Sequence, residues 1–352
     1  MNSKRRSALI RLSGALLLFC LVMGLAACGK APVATKRPPV TSEPKVSEAP
    51  KTLWPLTGLE APTDAPVGRY PLSVKIENLK AARPQTGINS ADIVYETMVE
   101  GGITRFNCLF DSKVPATVGP VRSARLSDFW IVPQYQGLFF YSGANSQVTS
   151  GLKSRGLTKL EFNKASSIYR RITSRKAPHN LYLSLSQAYD KAQALGVTIS
   201  ADGVRPGPAF GDIASDETTA PATSLEIPFS TLTHAAWTWD AASGHYLRST
   251  DGAVHIDAAD GSRLWADNVV VMWAVYTPQS KVDAAGNGTY DVTMGGTGKA
   301  AIFRDGVRID ATWSATADTP PTFTDAAGKP VTLKAGRTWF EVPQTSVTIT
   351  SQ

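Results

Sequence analysis

The stretch Ala91–Asp128 reads ADIVYETMVEGGITRFNCLFDSKVPATVGPVRSARLSD and carries the strongest structural signal in the chain. Two apolar-rich runs, Ala91–Glu100 and Thr104–Asp111, flank a Gly101-Gly102 pair. Such a pair predicts a β-hairpin with a two-residue turn, because the turns that suit hairpins need positive φ angles. We expect the rest of the fold to be built around this hairpin.

A two-residue turn also fixes the register of the hairpin, since it places Met98 opposite Arg105. Side chains alternate between the two faces of a strand, so Glu96, Met98 and Arg105 would share one face. Arg105 would then lie diagonal to both Glu96 and Glu100, within side-chain reach. The pattern predicts two carboxylates and one guanidinium on this face and an apolar core on the other.

The second half of the stretch predicts an anion site at a helix N-terminus. Ser123 is a suitable N-cap for a short helix over residues 124–132, which Pro133 would end. Arg122 and Arg125 would flank the positive end of this helix. Backbone N–H groups at a helix N-terminus bind anions, and guanidinium groups add bidentate hydrogen bonds.

Two interpretations of these arginines stay open. Arg122 and Arg125 can contact an anionic ligand, or they can pair with Asp128, Glu96 or Glu100. The second arrangement would be purely structural, because buried charges are stable only when they are paired. The sequence alone does not separate the two roles.

A second basic segment follows at residues 170–180, which read RRITSRKAPHN. Its candidate ligand-binding side chains are Arg171, Arg175, His179 and Asn180. A solvated basic loop would have the same composition, so an anion-binding role and a solvated loop are both compatible with it.

Residues 1–27 are typical of a bacterial secretory signal. A basic start is followed by an apolar run at residues 12–24, which is short for a span in the mature protein. The segment ends in LAACG and resembles a lipoprotein signal, in which Cys28 becomes the lipidated N-terminus. The alternative is an ordinary secretory signal with an incidental cysteine. We expect a chain anchored to the cell membrane and facing outside the cytoplasm, because each buried methylene contributes about 0.8 kcal/mol.

The net charge does not indicate a nucleic-acid partner. The chain is formally +7, and removing the four cations of the signal leaves +3. Outside the signal and the proposed lipid site, Cys108 is the only cysteine. A disulfide within the mature chain and a cysteine-rich metal site are therefore excluded. We expect neither a metal nor a cofactor.

Composition divides the chain into five segments, of which the signal is the first. Residues 28–52 are rich in Pro, Val and Ser and should form a disordered tether. Residues 53–202 interleave strand and helix patterns, which predicts a mixed α/β N-terminal domain. Residues 203–224 form a polar linker. Residues 225–352 contain short strands separated by turn pairs, typical of a small, mainly antiparallel β C-terminal domain. The predicted fold class is α+β.

Catalytic signals are weak. No zinc-protease, thiol-redox or serine-hydrolase motif is present. The run GGTGK at residues 295–299 hints at a phosphate loop, but its first glycine and its final Ser or Thr are missing. A cell-wall hydrolase with Glu96 or Glu100 as acid/base is the alternative function. About 13 Å of straight strand separates these two residues, which is too far for a pair of catalytic carboxylates.

Several motifs follow one another in order after the tether: Tyr70–Asn78, Ala82–Gly87, Ala91–Glu96, Glu100–Phe106, Gly119–Arg125, Lys176–Tyr182, Ala301–Gly306 and Gly336–Trp339. In these motifs the chain resembles the YerB-like bacterial lipoproteins, a two-domain family of unknown function. The resemblance implies an envelope lipoprotein and supplies no catalytic residue. Glu77 stands where that family is expected to have an Asp, so the carboxylate is kept.

Binding is therefore the favoured function. The protein would recognise an anionic wall polymer or an envelope protein through Arg105, Arg122, Arg125 and the basic loop. A protein with this role needs no catalytic pair, which agrees with the weak catalytic signals.

Overall fold

Three ranges of the chain are described by the structure, a computed structural model: residues 51–200, 207–282 and 286–352. They belong to a single unit that runs from Pro50 to Gln352. The signal segment, Cys28 and most of the tether lie outside the described residues.

The secondary structure of these ranges consists of many short strands and a few short helices. The strands before residue 200 are β1 (Leu72–Glu77), β2 (Ile93–Met98), β3 (Thr104–Phe110), β4 (Leu138–Phe140), β5 (Tyr169–Arg171) and β6 (Leu181–Leu183). The strands between residues 207 and 282 are β7 (Ala220–Pro221), β8 (Ser224–Pro228), β9 (His234–Asp240), β10 (His245–Thr250), β11 (Ala253–Val254), β12 (Trp265–Ala266), β13 (Asn268–Met272) and β14 (Val275–Val282). The strands after residue 286 are β15 (Gly288–Thr293), β16 (Gly296–Arg304), β17 (Val307–Ala315), β18 (Thr322–Thr324), β19 (Pro330–Val331), β20 (Thr338–Val342) and β21 (Thr350–Ser351). The α helices are α1 (Asp128–Gln134), α2 (Ser146–Ser154) and α3 (Ala188–Ala194), and the 3-10 helices are Lys80–Ala82, Ile88–Ser90, Glu100–Gly102, Ser166–Ile168 and Leu185–Gln187.

A mixed sheet forms the centre of the fold. Its strand order is β19-β18-β17-β16-β13-β20-β2-β3-β1-β4, with β7 beside β17. Strand β20 pairs in parallel with β2 on one side and with β13 on the other. Strands from both halves of the chain thus share one sheet, which the sequence did not predict. Every residue of β2, β13 and β20 is buried, as expected for strands covered on both faces.

A smaller antiparallel sheet packs on one face of the central sheet. Its order is β11-β10-β9-β8-β21, with β12 beside β10. Its inward side chains Trp237 and Tyr246 share a core with Phe106 and Trp339 of the central sheet. The second core lies on the opposite face of the central sheet and includes Ile131 of α1. Full burial of a large apolar side chain contributes roughly 1.5–3 kcal/mol, so these two cores hold the layers together.

The hairpin is present, but its turn is one residue longer than predicted. The loop is the three-residue segment Glu100–Gly102, closed by a hydrogen bond from the Val99 N–H to the Ile103 carbonyl (2.8 Å). Gly101 and Gly102 have φ angles of 72° and 71°, so the prediction that both need positive φ is confirmed. The extra residue pairs Thr97 with Arg105, where the sequence predicted Met98.

This shift of one residue makes the predicted faces of the hairpin wrong. Side chains alternate along a strand, so a slip of one moves every side chain to the other face relative to its partner. Glu96 is the register partner of Phe106, on the face that holds the aromatic core. Arg105 lies on the opposite face, so it does not share a face with Glu96.

The helix predicted from Ser123 is also wrong in its position. Helix α1 begins at Asp128, and Pro133 lies inside it. The preceding segment is held extended, since the Ala124 N–H donates to the Gly143 carbonyl and the Ser142 N–H to the Arg122 carbonyl, both at 3.0 Å. There is consequently no helix N-terminus at Ser123.

The described part of the chain is mostly strand with few helices, so it matches the predicted α+β class only in part. The α helices are seven to nine residues long, and all of them lie before residue 200. The described residues after 207 form strands and turns without an α helix, as the turn pairs predicted. Asp251-Gly252 and Asp305-Gly306 have positive φ angles and join antiparallel strands. In the described ranges, none of the helices has both the length and the hydropathy to cross a bilayer.

Candidate functional site

The candidate site is built on a polar face at one end of the central sheet. Alternate residues of β1 and β3 point to this face, where Glu77 is the register partner of Arg105 and Lys75 that of Asn107. The Arg122 N–H donates to the Lys75 carbonyl (2.9 Å), which brings the loop before α1 next to β1. The sheet thereby gives fixed positions to side chains that are distant in sequence.

Arg105, Arg122 and Arg125 form what we call the arginine cluster. Arg105 Nη1 donates to the Ser123 carbonyl (2.9 Å), which ties β3 to the loop that carries the other two arginines. Arg125 Nε donates to Glu100 Oε2 at 2.6 Å. The structure therefore brings these five predicted residues together, although they are not arranged around a helix N-terminus.

Glu77 connects the arginine cluster to His179. Arg122 Nε lies 3.1 Å from Glu77 Oε1, and His179 Nδ1 lies 2.9 Å from Glu77 Oε2. The Glu77 side chain is 1% exposed, whereas the Arg122 and His179 side chains are each 21% exposed. Solvent therefore reaches the site on the side of Arg122 and His179.

The arginine cluster is short of hydrogen-bond partners. Among the described residues, Arg105 Nε, Arg122 Nε and Glu77 Oε1 are buried and make no hydrogen bond. Arg122 Nε and Glu77 Oε1 are near enough for an ion pair, but their orientation does not give a hydrogen bond. Because roughly 90% or more of buried polar groups are paired in folded proteins, three such atoms in one place need an explanation.

The electrostatics of Arg105 favour an added negative charge. Burial, followed by the charges of Arg125 and Arg122, lowers the pKa of Arg105 from 12.5 to about 9. The charges of Glu100 and Glu77 oppose this change without reversing it. A nearby anion would stabilise the charged form of the guanidinium, since opposite charges favour ionisation.

The basic loop at residues 170–180 reaches the arginine cluster through His179. Arg171 Nη1 donates instead to Asn180 Oδ1 (2.8 Å), within the loop itself. Arg175 donates to two backbone carbonyls of the neighbouring segment. Arg171, Arg175 and Asn180 are thus engaged in loop structure and do not join the cluster.

Glu96 lies on the other face of the sheet, in a buried triad with Arg248 and Glu341. Arg248 Nη2 donates to Glu96 Oε2 (2.5 Å), and Arg248 Nη1 donates to Glu341 Oε1 (2.6 Å). None of the three side chains has exposed surface. Glu96 and Glu341 are register partners on β2 and β20, so strand pairing places the two carboxyl groups side by side.

The surroundings of the triad satisfy most of its polar atoms. Glu341 Oε1 also accepts from Trp237 Nε1 (2.8 Å). Glu96 Oε1 accepts from Asn78 Nδ2 at 3.0 Å and from a threonine hydroxyl at 2.5 Å. The Arg248 guanidinium carbon lies 4.6 Å from the centre of the Trp339 ring, a cation–π contact. The charged groups are therefore packed within the aromatic core.

The two carboxyl groups of the triad favour the uptake of one proton by Glu341. Burial, followed by the charge of Glu96, raises the pKa of Glu341 well above 4.5. Glu341 Oε2 is buried and accepts no hydrogen bond within the described part of the chain. When Oε2 carries a proton, its O–H can donate a hydrogen bond to the Glu96 carboxylate. The triad then holds one negative and one positive charge.

Sequence reasoning missed Arg248, Glu341 and Lys75. Each is a charged residue in a strand, and the residues two positions before and after it are buried. In β10, for example, Tyr246, Arg248 and Thr250 are all buried while the intervening residues are partly exposed. A charged residue in such a position predicts a buried partner, but the sequence does not identify that partner.

The donor set of the site suits an oxyanion. Its free hydrogen-bonding capacity belongs to guanidinium N–H groups, which bind carboxylate and phosphate groups in bidentate fashion. Within residues 51–200, 207–282 and 286–352, no group of three or more His, Cys, Asp and Glu side chains could hold a metal ion. Recognition of an anion is the chemistry that these residues support.

Comparisons with known proteins identify relatives over most of the chain. Residues 56–198 match the model "Protein of unknown function (DUF3048) N-terminal domain", and residues 225–340 match the corresponding C-terminal domain. A Bacillus subtilis (strain 168) protein named "Putative lipoprotein YerB" is 29% identical over 301 residues, which cover 84% of this chain and 87% of that protein. A crystal structure of the YerB protein from Bacillus subtilis matches with a TM-score of 0.73 and 26% identity, covering 85% of this chain and 100% of that one.

Proposed function

Because the chain belongs to the family of the DUF3048 N-terminal and C-terminal domains, we propose that it is an envelope lipoprotein whose arginine cluster binds an anionic ligand. The family match supports the architecture, and the name of the Bacillus subtilis relative supports the lipoprotein assignment. The binding role rests on the residues of this chain.

The proposed anchor is Cys28, which follows the residues LAA in the signal segment. We expect Cys28→Ser to move the protein from the detergent phase to the aqueous phase, or to leave an uncleaved precursor, because the acyl acceptor is lost. Phase partitioning and the mass of the N-terminal peptide measure this outcome. Normal processing with unchanged partitioning would contradict the anchor.

The observation that carries the binding role is the shortage of partners around Arg105. Three guanidinium groups lie together with two carboxylates, and two buried guanidinium nitrogens make no hydrogen bond within the described residues. Leaving such groups unpaired costs stability, so a purely structural network would be expected to satisfy them. A bound oxyanion would do so while balancing the excess positive charge.

The ligand we propose is an anionic polymer of the envelope, with an acidic segment of a protein partner as the alternative. Arg122 and His179 are partly exposed, so one anionic group could enter from solvent and meet Arg105 behind them. The proposed location outside the cytoplasm makes wall polymers accessible. Binding should weaken as the salt concentration rises, because the exposed part of the site is screened.

The test is an Arg122→Gln/Arg125→Gln double variant titrated with anionic wall-polymer fragments. We expect roughly tenfold to hundredfold weaker binding than wild type, because each hydrogen bond to a charged group contributes about 1.5–3 kcal/mol. Arg170→Gln/Arg171→Gln is the matched control, since it removes the same charge from exposed residues of β5 and should bind like wild type. Neutral glycan fragments control for contacts that do not involve charge.

Thermal melts of the same variants separate binding from structure. Arg125→Gln removes the partner of the buried Glu100 carboxylate, so a structural role predicts a collapsed melting temperature. Arg122→Gln alone tests the site in that case, because this side chain is partly exposed. Absence of wild-type affinity for every anionic fragment would reject the proposed function, and binding of acidic peptides alone would indicate the protein partner.

The hydrolase alternative gains no support from the contacts of its candidate residues. Glu96 has no exposed surface and is bonded to Arg248, so a substrate cannot reach it in this conformation. Glu100 is held by Arg125 at 2.6 Å and is almost fully buried. Glu341, the carboxyl group beside Glu96, is equally buried.

A further inference from the structure

A cleft of about 370 Å³ lies beside Trp273, on elements other than those of the arginine cluster. Its lining comes from Trp273 just after β13, from the start of β14 and the end of β15, from β16 and β17, and from the loop at residues 345–349. The volume falls in the lower part of the range of about 300–1,000 Å³ typical of small-molecule sites. We call it the Trp273 cleft.

Two indole rings give the cleft a rigid floor. Trp313 Nε1 donates to the Trp273 carbonyl (3.0 Å), and Trp273 Nε1 donates to the Val347 carbonyl (2.8 Å). A Cβ atom on Gly298 would lie 2.6 Å from Trp313 Nε1, and one on Gly295 would lie 2.2 Å from another tryptophan ring. These glycines of the GGTGK run therefore allow indole packing, and they do not form a phosphate loop.

Lys299 is the cation of the cleft that is available to a ligand. Its ammonium lies 4.8 Å from the centre of the Trp273 ring, and no carboxylate pairs with it in the part of the chain that the structure describes. The other lining cation, Arg308, is already engaged with Asp310 and Ser351. An ammonium offers three donors, so Lys299 can bind an anion without breaking an ion pair.

Hydroxyl groups line the same cleft as this cation, and the lining contains no Asp or Glu. The lining hydroxyls are those of Thr293, Thr297, Thr345, Ser346 and Thr348. Four of the five residues are exposed, and no hydrogen bond from these side chains is found within the described ranges. Each hydroxyl can both donate and accept, which is the capacity that a hydroxyl-rich ligand requires.

We propose that the Trp273 cleft binds a small oxyanion, phosphate or carboxylate, carried on a polyhydroxylated carbon frame. Lys299 would bind the oxyanion, and the threonine and serine hydroxyls would exchange hydrogen bonds with the frame. The exposed Val275 side chain and the indole edges offer contact to its C–H groups. The absence of carboxylates from the lining removes the groups that would repel such a ligand.

The experiment is calorimetric titration of the full chain with glycerol 3-phosphate and with glucuronate. Lys299→Met keeps the aliphatic stem over Trp273 and should weaken binding about tenfold or more, because it removes a charge-assisted contact. Thr297→Val should weaken binding about threefold, because it removes one hydroxyl and keeps a side chain of nearly the same size. The control is Lys329→Met, which removes the same charge from an exposed lysine outside the cleft and should leave binding unchanged.

The two probes distinguish the two sources of the anion. Selective binding of glycerol 3-phosphate assigns a polyol phosphate, and selective binding of glucuronate assigns an acidic sugar. Three results would overturn the proposal. They are binding of inorganic phosphate as tight as that of both probes, equal losses of affinity in Lys299→Met and Lys329→Met, and no heat of binding up to about 10 mM probe. Repeating the titration in an Arg122→Gln background separates this cleft from the arginine cluster. Binding that persists in Arg122→Gln and is lost when Lys299→Met is added occurs in the cleft.

Discussion

Arg248→Met is expected to lower the free energy of unfolding by about 3–5 kcal/mol, because it leaves the buried Glu96 carboxylate without its cation. Glu96 and Arg248 have no exposed surface, and their hydrogen bond is 2.5 Å long. Small and medium-sized proteins have only about 5–15 kcal/mol of stability in total, so the midpoint of urea unfolding should fall markedly. The exposed Arg170→Met is the control and should unfold like wild type.

Glu341→Gln is the informative companion, because it should be tolerated. A Gln amide can donate to Glu96 as the protonated carboxyl does, while its oxygen still accepts from Arg248 and Trp237. Folding raises the pKa of Glu341, so the folded state binds this proton more tightly than the unfolded state does. The stability that the proton contributes is complete below about pH 4.5, and it declines as the pH rises through the interval toward the folded-state pKa. Gln does not titrate, so the stability of Glu341→Gln relative to wild type should increase across this interval, by at most about 1.4 kcal/mol per pH unit. A wild-type midpoint for Arg248→Met, or a flat difference for Glu341→Gln, would contradict the buried triad.

Lys75→Met should cost a similar 3–5 kcal/mol, because it strands Asp128 beneath the polar face of the sheet. Lys75 Nζ lies 2.7 Å from Asp128 Oδ1, and neither side chain has exposed surface. Asp128 would retain donors from Asn107 Nδ2 (3.0 Å) and the Arg125 N–H (2.7 Å), but it would lose its counter-ion. Chemical unfolding of Lys75→Met measures the loss.

A second substitution shows whether the stranded charge is the cause. Asp128→Asn in the Lys75→Met background removes that charge and keeps an oxygen that can accept from Asn107 and Arg125. We expect it to recover a large part of the lost stability, since replacing both members of a buried pair is far less harmful than removing one. A double variant that is less stable than Lys75→Met would mean that packing, and not charge, accounts for the loss.

Local chemistry made the hairpin predictable, and a single residue decided its register. The Gly101-Gly102 pair requires positive φ angles, and both glycines adopt them. A two-residue and a three-residue loop contain the same glycines, so the sequence could not show that Glu100 belongs to the turn. The choice depends on tertiary packing, which buries Glu96 beside Arg248 and turns Arg105 toward the loop before α1.

Only part of the candidate site could be predicted, again because the sequence does not show which distant residues pack together. The arginines 105, 122 and 125 and Glu100 are close in sequence, so proximity along the chain suggested proximity in space. His179 reaches the site through Glu77, an interaction across about one hundred residues that no periodicity encodes. Arg171, Arg175 and Asn180 were grouped with the site because they are close to His179 in sequence. In the structure Arg171 bonds to Asn180 within the loop, and Arg175 bonds to the backbone carbonyls of Ala82 and Pro84.

The position of β20 between β2 and β13 has a consequence for how the chain can fold. Strand β2 needs β20 on its outer edge, yet β20 is delivered more than two hundred residues later along the chain. Contacts between segments so distant in sequence form slowly, because a long loop must close first. Until then the apolar edge of β2 is open to pairing with other chains, the usual route to aggregation. The growing chain thus remains exposed to aggregation at the edge of β2 until Thr338–Val342 is available to pair with it.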